Sequence, residues 1–216
     1  WNGMMRAGTR CSVEAMIYRD ALNNTDIMVG TGPTTLGAGT GGWIFYVNSV
    51  NQLCVHNYSG NGPDRWISTD TIPAETWTHC AFVRLGDGNS ANSGSGQFFI
   101  NGVPVATTRT HAYTGTAPGD DAGNGFHIGA HPVNGVVSDF ATADIDNGVA
   151  VKDRRMTGYE VYTHAVATGL GTEATTYEEL LGTTGAQGRS VLQLDETTGT
   201  AISDDGIGAK TWTASA

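Results

Sequence analysis

The sequence predicts an all-β protein, an antiparallel β-sandwich with one short helix. Three observations lead there: short apolar runs separated by glycine-rich connections, an Asn101-Gly102 pair between two apolar runs, and 31 glycines against 15% charged residues. Asn-Gly suits a tight hairpin because both residues tolerate positive φ. At 216 residues one sandwich fits better than two domains. All-β units commonly reach this size, and such a chain buries about 70% of the surface its unfolded form exposes.

Along the chain, residues 12–18 alternate, with Val13, Ala15 and Ile17 on one face. Continuous apolar strands follow at 43–47 and 53–55. Residues 30–42 form a glycine-rich loop, since strands of one kind flank it on both sides. The next strand is Trp77-Thr78-His79-Cys80-Ala81-Phe82-Val83-Arg84, followed by a polar loop at 86–96. Then come the hairpin of Gln97-Phe98-Phe99-Ile100-Asn101-Gly102-Val103-Pro104-Val105-Ala106, a third loop at 114–125, and the strand Phe126-His127-Ile128-Gly129. Loops of this length are where a sandwich carries function. The predicted helix is short: Thr175 and Glu178 have capping-box spacing, with Tyr177, Leu180 and Leu181 turned to the core.

The strand from Trp77, the Asn101-Gly102 hairpin and the strand ending Ile128-Gly129 together resemble the laminin-G-like branch of the concanavalin A-like lectin and glucanase superfamily. There a Trp-x-His-x-Ala strand precedes an Asn-Gly hairpin and a strand ending Ile-Gly. The resemblance covers roughly residues 11–168. It implies a jelly roll in which His79 is structural, in agreement with its strand face of Ala81, Val83 and Leu85. Residues 191–206 resemble the stretch that usually opens such domains. Residues 190–216 are therefore expected either to complete a single sandwich spanning 1–216 or to begin a further unit.

Composition removes several functions. A formal charge of −10, with Lys152 and Lys210 as the lysines, leaves no basic stripe for nucleic acid. No stretch approaches the roughly 18 apolar residues of a membrane-spanning helix. Cys11, Cys54 and Cys80 have no Cys-x-x-Cys spacing and read as buried free thiols ahead of a disulfide plus one spare. The start at Trp1, without methionine or leader, reads as a processed product, a fragment or part of a longer protein.

Catalytic signatures are missing. Glucanases of the superfamily use Glu-x-Asp-x-(x)-Glu on one strand, which sets acid and nucleophile about 5.5 Å apart, and no Glu-x-Asp occurs here. There is no Gly-x-Ser-x-Gly, His-Glu-x-x-His or P-loop. Residues 37–42 satisfy Gly-x-Gly-x-x-Gly but lead into a strand, where a dinucleotide site needs a helix. The six histidines have no tight metal spacing; His127 and His131 stand at i, i+4, but across a strand end.

Calcium is the one cofactor the resemblance implies, held at the rim by loop carboxylates. Glu196, Asp204 and Asp205 match the family's opening acidic stretch and would join Asp139 from the 135–139 strand; a competing alignment gives that strand to residues 158–162. The segment Asp144-Ile145-Asp146-Asn147-Gly148 begins like a calcium loop, but its twelfth position is Arg155. Trp1, Trp66 and Trp212 lie outside the clearest strands, as core residues or as rim indoles that stack on sugar. The expected function is a non-catalytic recognition or structural module of an extracellular or virion surface assembly: capsid decoration, tail-associated or adhesin-type. Its partners would be a protein scaffold or capsid, a glycan, or further copies of itself. The alternative is a glycan-active hydrolase or lyase that recruits separated residues such as Glu160, Asp139 or His131.

Overall fold

A computed structural model describes residues 10–31, 42–58, 64–84, 96–111, 126–133, 136–138, 141–152, 154–169, 188–192, 201–202 and 212–213. The first strands are β1 (Ser12–Tyr18), β2 (Asp26–Thr31), β3 (Gly42–Val47), β4 (Gln52–Tyr58), β5 (Asp64–Thr71) and β6 (Thr78–Arg84). Next come β7 (Gly96–Ile100), β8 (Val103–Val105), β9 (Thr107–His111), β10 (Phe126–Ile128), β11 (His131–Val133) and β12 (Val136–Ser138). Strand β13 (Asp144–Lys152) precedes the helix α1 (Gly158–Gly169), followed by β14 (Gly188–Leu192), β15 (Ala201–Ile202) and β16 (Trp212–Thr213).

Two six-stranded antiparallel sheets carry the fold. The first runs β14-β13-β1-β6-β7-β8 and the second β10-β2-β3-β4-β5-β9; β11 pairs with β12, and β15 with β16. Between the sheets lies one apolar cluster, formed by inward-facing residues of both sheets. Val13, Ala15 and Ile17 share it with Phe82, Phe98, Phe45, Val55, Trp43 and Trp66. Phe98 bridges the sheets, with its ring centroid 4.9 Å from that of Phe82 and 6.4 Å from that of Phe45. All three cysteines are buried and outside any disulfide, as the sequence implied, and burial pushes the Cys11 thiol up to about 12. Trp66, left open as a rim residue, is in the core.

The hairpin forms as its sequence dictates. Asn101 (φ 50°) and Gly102 (φ 78°) both take left-handed backbone. The Asn101 side-chain oxygen accepts from the His79 amide at 2.9 Å, and the Asn101 amide donates to the His79 carbonyl at 2.8 Å, which ties the turn to β6. A Cβ on Gly102 would also lie 2.8 Å from the Tyr162 Cα, so the turn needs glycine to sit against α1.

Helix α1 corrects the sequence reading. Residues 158–162, an alternative strand in that reading, are its first turn, whereas the helix expected near 175–181 lies outside the described residues. A capping box starts it: Thr157 Oγ1 accepts from the Glu160 amide at 3.1 Å, and Glu160 Oε2 accepts from the Thr157 amide at 2.7 Å. Arg154 holds the other Glu160 oxygen at 2.6 Å. These bonds, that of Arg154 foremost, push the Glu160 carboxyl down to about 2. Val161 of α1 and the neighbouring Met156 pack on Ala81, Val83 and Phe99, on the face of the first sheet turned away from the core. With both faces covered, β6 is buried at every residue.

At one end of the sandwich a buried ion pair joins the turns. Arg19 Nε donates to Asp26 Oδ2 at 2.7 Å and Arg19 Nη1 to Asn51 Oδ1 at 3.0 Å, while Asp26 Oδ1 accepts from the amide and hydroxyl of Thr142. Asn23, Asn51 and Glu75, all at positive φ, belong to the turns held there, and the Glu75 amide donates to the Arg19 carbonyl at 2.7 Å.

Candidate functional site

Two clusters of chemistry-bearing side chains are built by this topology, one on the outer face of each sheet. Under α1, Glu14 of β1 is fully buried. His164 Nδ1 of α1 lies 2.8 and 3.0 Å from its two oxygens, His79 Nε2 of β6 lies 3.3 Å away, and Lys152 Nζ of β13 lies 3.6 Å away. An ionised carboxylate only accepts, so each imidazole turns an N–H toward it. Burial alone would raise the Glu14 carboxyl; the bonds from His164 and His79 and the charge of Lys152 outweigh it and hold the group well below the carboxylate range. Burial likewise lowers Lys152, partly offset by Glu14. All four residues are at most 1% exposed, so no substrate reaches them in this conformation. Their chemistry is structural: three strands' worth of charge locks α1 to the sheet. His79 therefore has the structural role expected of it, with a partner the sequence reading did not name.

The outer face of the second sheet is different. Pairing register aligns His127, Gly30, Ile44, His56, Arg65 and His111 in one row that crosses all six strands. Beside it runs a second row: Ile27, Tyr46, Cys54, Ile67 and Thr108. Ile27, Ile44, Tyr46 and Cys54 pack together with half-buried Ile67 against them. The Cys54 thiol reports its neighbours: burial pushes it up to about 11, drawn back in part by Tyr46, Arg65 and Asn48. His127 and Arg65 are half-buried at the flanks, and burial lowers the pKa of His127, which keeps its imidazole neutral near pH 7. Gly30 is obligatory in the row, because a Cβ there would meet the Trp43 carbonyl and lie 2.7 Å from Ile44 Cγ2.

The site residues proposed from sequence fall elsewhere. Asp139, Glu196, Asp204 and Asp205 lie outside the described residues, as do Trp1 and most of the loops at 30–42, 86–96 and 114–125. His131 opens β11, opposite Ser138, and Glu160 belongs to the cap of α1. Asp144, Asp146 and Asn147 lie within β13, where Asp144 and Asp146 face Tyr18 and Met16 of β1, so the segment that begins like a calcium loop is strand. Sequence reasoning missed both clusters, although Glu14, set among apolar residues of β1, was a visible signal of the first.

The family model of the laminin-G branch in the concanavalin A-like lectin/glucanases superfamily matches residues 3–162. The chain belongs to this superfamily. Among solved structures, a heptameric pentraxin from Limulus polyphemus is similar over 95% of this chain and 83% of its own, at 15% identity and a TM-score of 0.53. The CBM40 module of a Ruminococcus gnavus sialidase, bound to α2,3-sialyllactose, matches over 73% and 83% at 14% identity and a TM-score of 0.53. A candidate carbohydrate-binding protein from Bacteroides ovatus matches over 97% and 55% at 15% identity and a TM-score of 0.56. At these identities the likeness is one of fold. A search of curated proteins found no match.

Against the glucanase side of the concanavalin A-like superfamily stands the placement of carboxylates. Among the described residues the buried ones are Glu14 and Asp26, each engaged in its own ion pair in a separate network. No group of three or more His, Cys, Asp and Glu converges to hold a metal ion among the described residues, and the four carboxylates of the calcium expectation lie outside them.

Proposed function

We propose that this concanavalin A-like protein is a non-catalytic carbohydrate-recognition module whose sugar site is the outer face of the second sheet. One observation carries the reading: on this face half-buried Arg65 and Ile67 of β5 and half-buried His127 of β10 bring hydrogen-bonding and apolar groups to the surface around a buried row of Ile27, Ile44, Tyr46 and Cys54. A sugar presents hydroxyls at its edge and C–H groups on its face. Ligand sites of mainly apolar lining with a few placed polar groups suit such a molecule. The carbohydrate-bound CBM40 module supports the reading by sharing the fold. The two buried carboxylates, each already paired, favour binding over glycosidic cleavage.

In this reading the module works at an extracellular or virion surface, with a protein scaffold as a second class of partner. Calcium would enter only through Asp139, Glu196, Asp204 and Asp205, and chelator-sensitive binding is its test. The reading itself is tested on a broad glycan panel with two variants. Ile67→Asp on the second sheet should abolish binding without loss of folding, whereas Tyr159→Ala on exposed α1 should leave binding intact. Loss through Tyr159 and retention through Ile67 would move the site to the opposite face.

A further inference from the structure

We infer that the exposed flank of α1 is a docking surface for a second copy of this chain, met antiparallel about a two-fold axis beside Tyr162. This goes beyond the glycan reading and does not rest on it. Tyr159, Tyr162 and Val166 are 78%, 53% and 36% exposed, and their i, i+3, i+7 spacing sets them on one side of the helix. Val161 and His164 face the sheet instead. The stripe continues onto the sheet, because Tyr162 lies against Gly102 of the β7–β8 turn, and Val103 just beyond it is 58% exposed. Exposed apolar side chains gathered into one patch mark a contact surface.

Three observations select the occupant. The first is the direction of the chain. Residues 170–187 lead from α1 to β14 at one edge of the first sheet, whereas the stripe is turned toward β8 at the other edge. A chain bound for β14 leads away from the stripe. The second is charge. Two copies of net charge −10 repel each other, so their contact has to be clear of carboxylates. The one acid of α1, Glu160, is held by Arg154 and Thr157 on the other flank, and β8 has none. The third is spacing. Positions 159 and 166 lie equally far on either side of the midpoint between 162 and 163, so a two-fold axis there brings Tyr159 of each copy onto Val166 of the other, large against small.

Strand addition does not compete with this contact. Strand β8 is three residues long with Pro104 at its centre, which lacks the N–H an added strand would need. The four apolar side chains present about 400 Å² per copy, half of the roughly 800 Å² per partner of a stable interface, so the dimer is weak and reversible. Because α1 covers the first sheet and the sugar site is assigned to the second, the two sugar faces of a dimer point away from each other. Such a dimer bridges two glycans rather than gripping one surface twice, so its loss leaves binding to a single glycan surface unchanged.

The test is sedimentation equilibrium of the full chain without glycan, from about 10 µM to about 1 mM, where contacts of this size associate. Wild type should pass from monomer to dimer. Tyr159→Asp and Val166→Lys should each raise the dissociation constant about tenfold or more with unchanged melting curves, since an acid in the first turn and a base in the last suit the helix dipole. Mixed in equal amounts, the two variants should regain a dimer, because one reciprocal contact then joins the new carboxylate to the new ammonium and the other keeps Tyr159 on Val166. Wild type that stays monomeric throughout, a dimer indifferent to Tyr159→Asp, or a mixture that does not associate would each overturn the inference. A monomeric wild type whose melting falls with Tyr159→Asp would show the stripe covered within one chain, and overturns it as well. With glycan absent, none of these outcomes bears on the sugar site.

Discussion

Replacing Glu14 with alanine should unlock α1. The carboxylate accepts from His164 at 2.8 Å and from His79 at 3.3 Å, and faces Lys152 Nζ at 3.6 Å. Its removal strands the Lys152 ammonium, 1% exposed and without a hydrogen bond of its own among the described residues. Breaking a buried pair from one side costs about 3–5 kcal/mol, mostly as the penalty of the uncompensated charge. For a chain of this size each kcal/mol is about 2–4 °C of melting temperature, so the drop should be roughly 6–20 °C by calorimetry at pH 7. Adding Lys152→Met removes that stranded charge and should restore a large part of the loss. The pH dependence has a fixed sign. Glu14 is depressed in the folded state, so its contribution is present above the unfolded value of about 4.3 and disappears as pH falls through the folded value. The gap between wild type and variant should therefore close in acid. Lys152 acts the other way: its lowered pKa is a penalty at neutral pH that is relieved as pH rises toward 10.5. A Glu14→Ala loss under about 1 kcal/mol, or a double variant as unstable as the sum of its parts, would refute the lock.

Other substitutions report on separate parts of the fold. Gly30→Ala should cost about 1–3 kcal/mol in urea unfolding, since its Cβ would be driven into the Trp43 carbonyl and Ile44; a midpoint equal to wild type contradicts that close approach. Thr157→Ala removes half of the capping box and should cost about 1 kcal/mol, with Thr157→Ser near wild type; equal losses for both would point away from the hydroxyl. Deleting residues 188–216 uncovers the β13 edge that β14 occupies and should lower melting temperature and promote aggregation. A monomeric truncation with unchanged melting would make that segment a dispensable unit.

The sequence disclosed whatever depends on neighbours along the chain. Alternation gave β1, apolar runs gave β3, and Asn101-Gly102 gave the β7–β8 turn, because each is decided within a few residues. Strands β2, β5, β9 and β13 went unrecognised: Asp26, Thr107 and the Asp144-to-Gly148 run carry polar residues that only pairing with β3, β5 and β1 turns into strand. Helix α1 was legible in principle, since Thr157 and Glu160 have the same cap spacing as Thr175 and Glu178. The two clusters were not. Glu14 meets His79 across 65 positions and His164 across 150, and the basic row exists only through five successive strand registers.

The measurement that bears most directly on a non-catalytic sugar site pairs binding with product formation on the same glycans. Wild-type protein incubated with each bound glycan should retain it intact, with reducing-end release at the level of buffer, and Ile67→Asp should lose the binding. Release above that level, or binding indifferent to Ile67→Asp, would contradict the proposal.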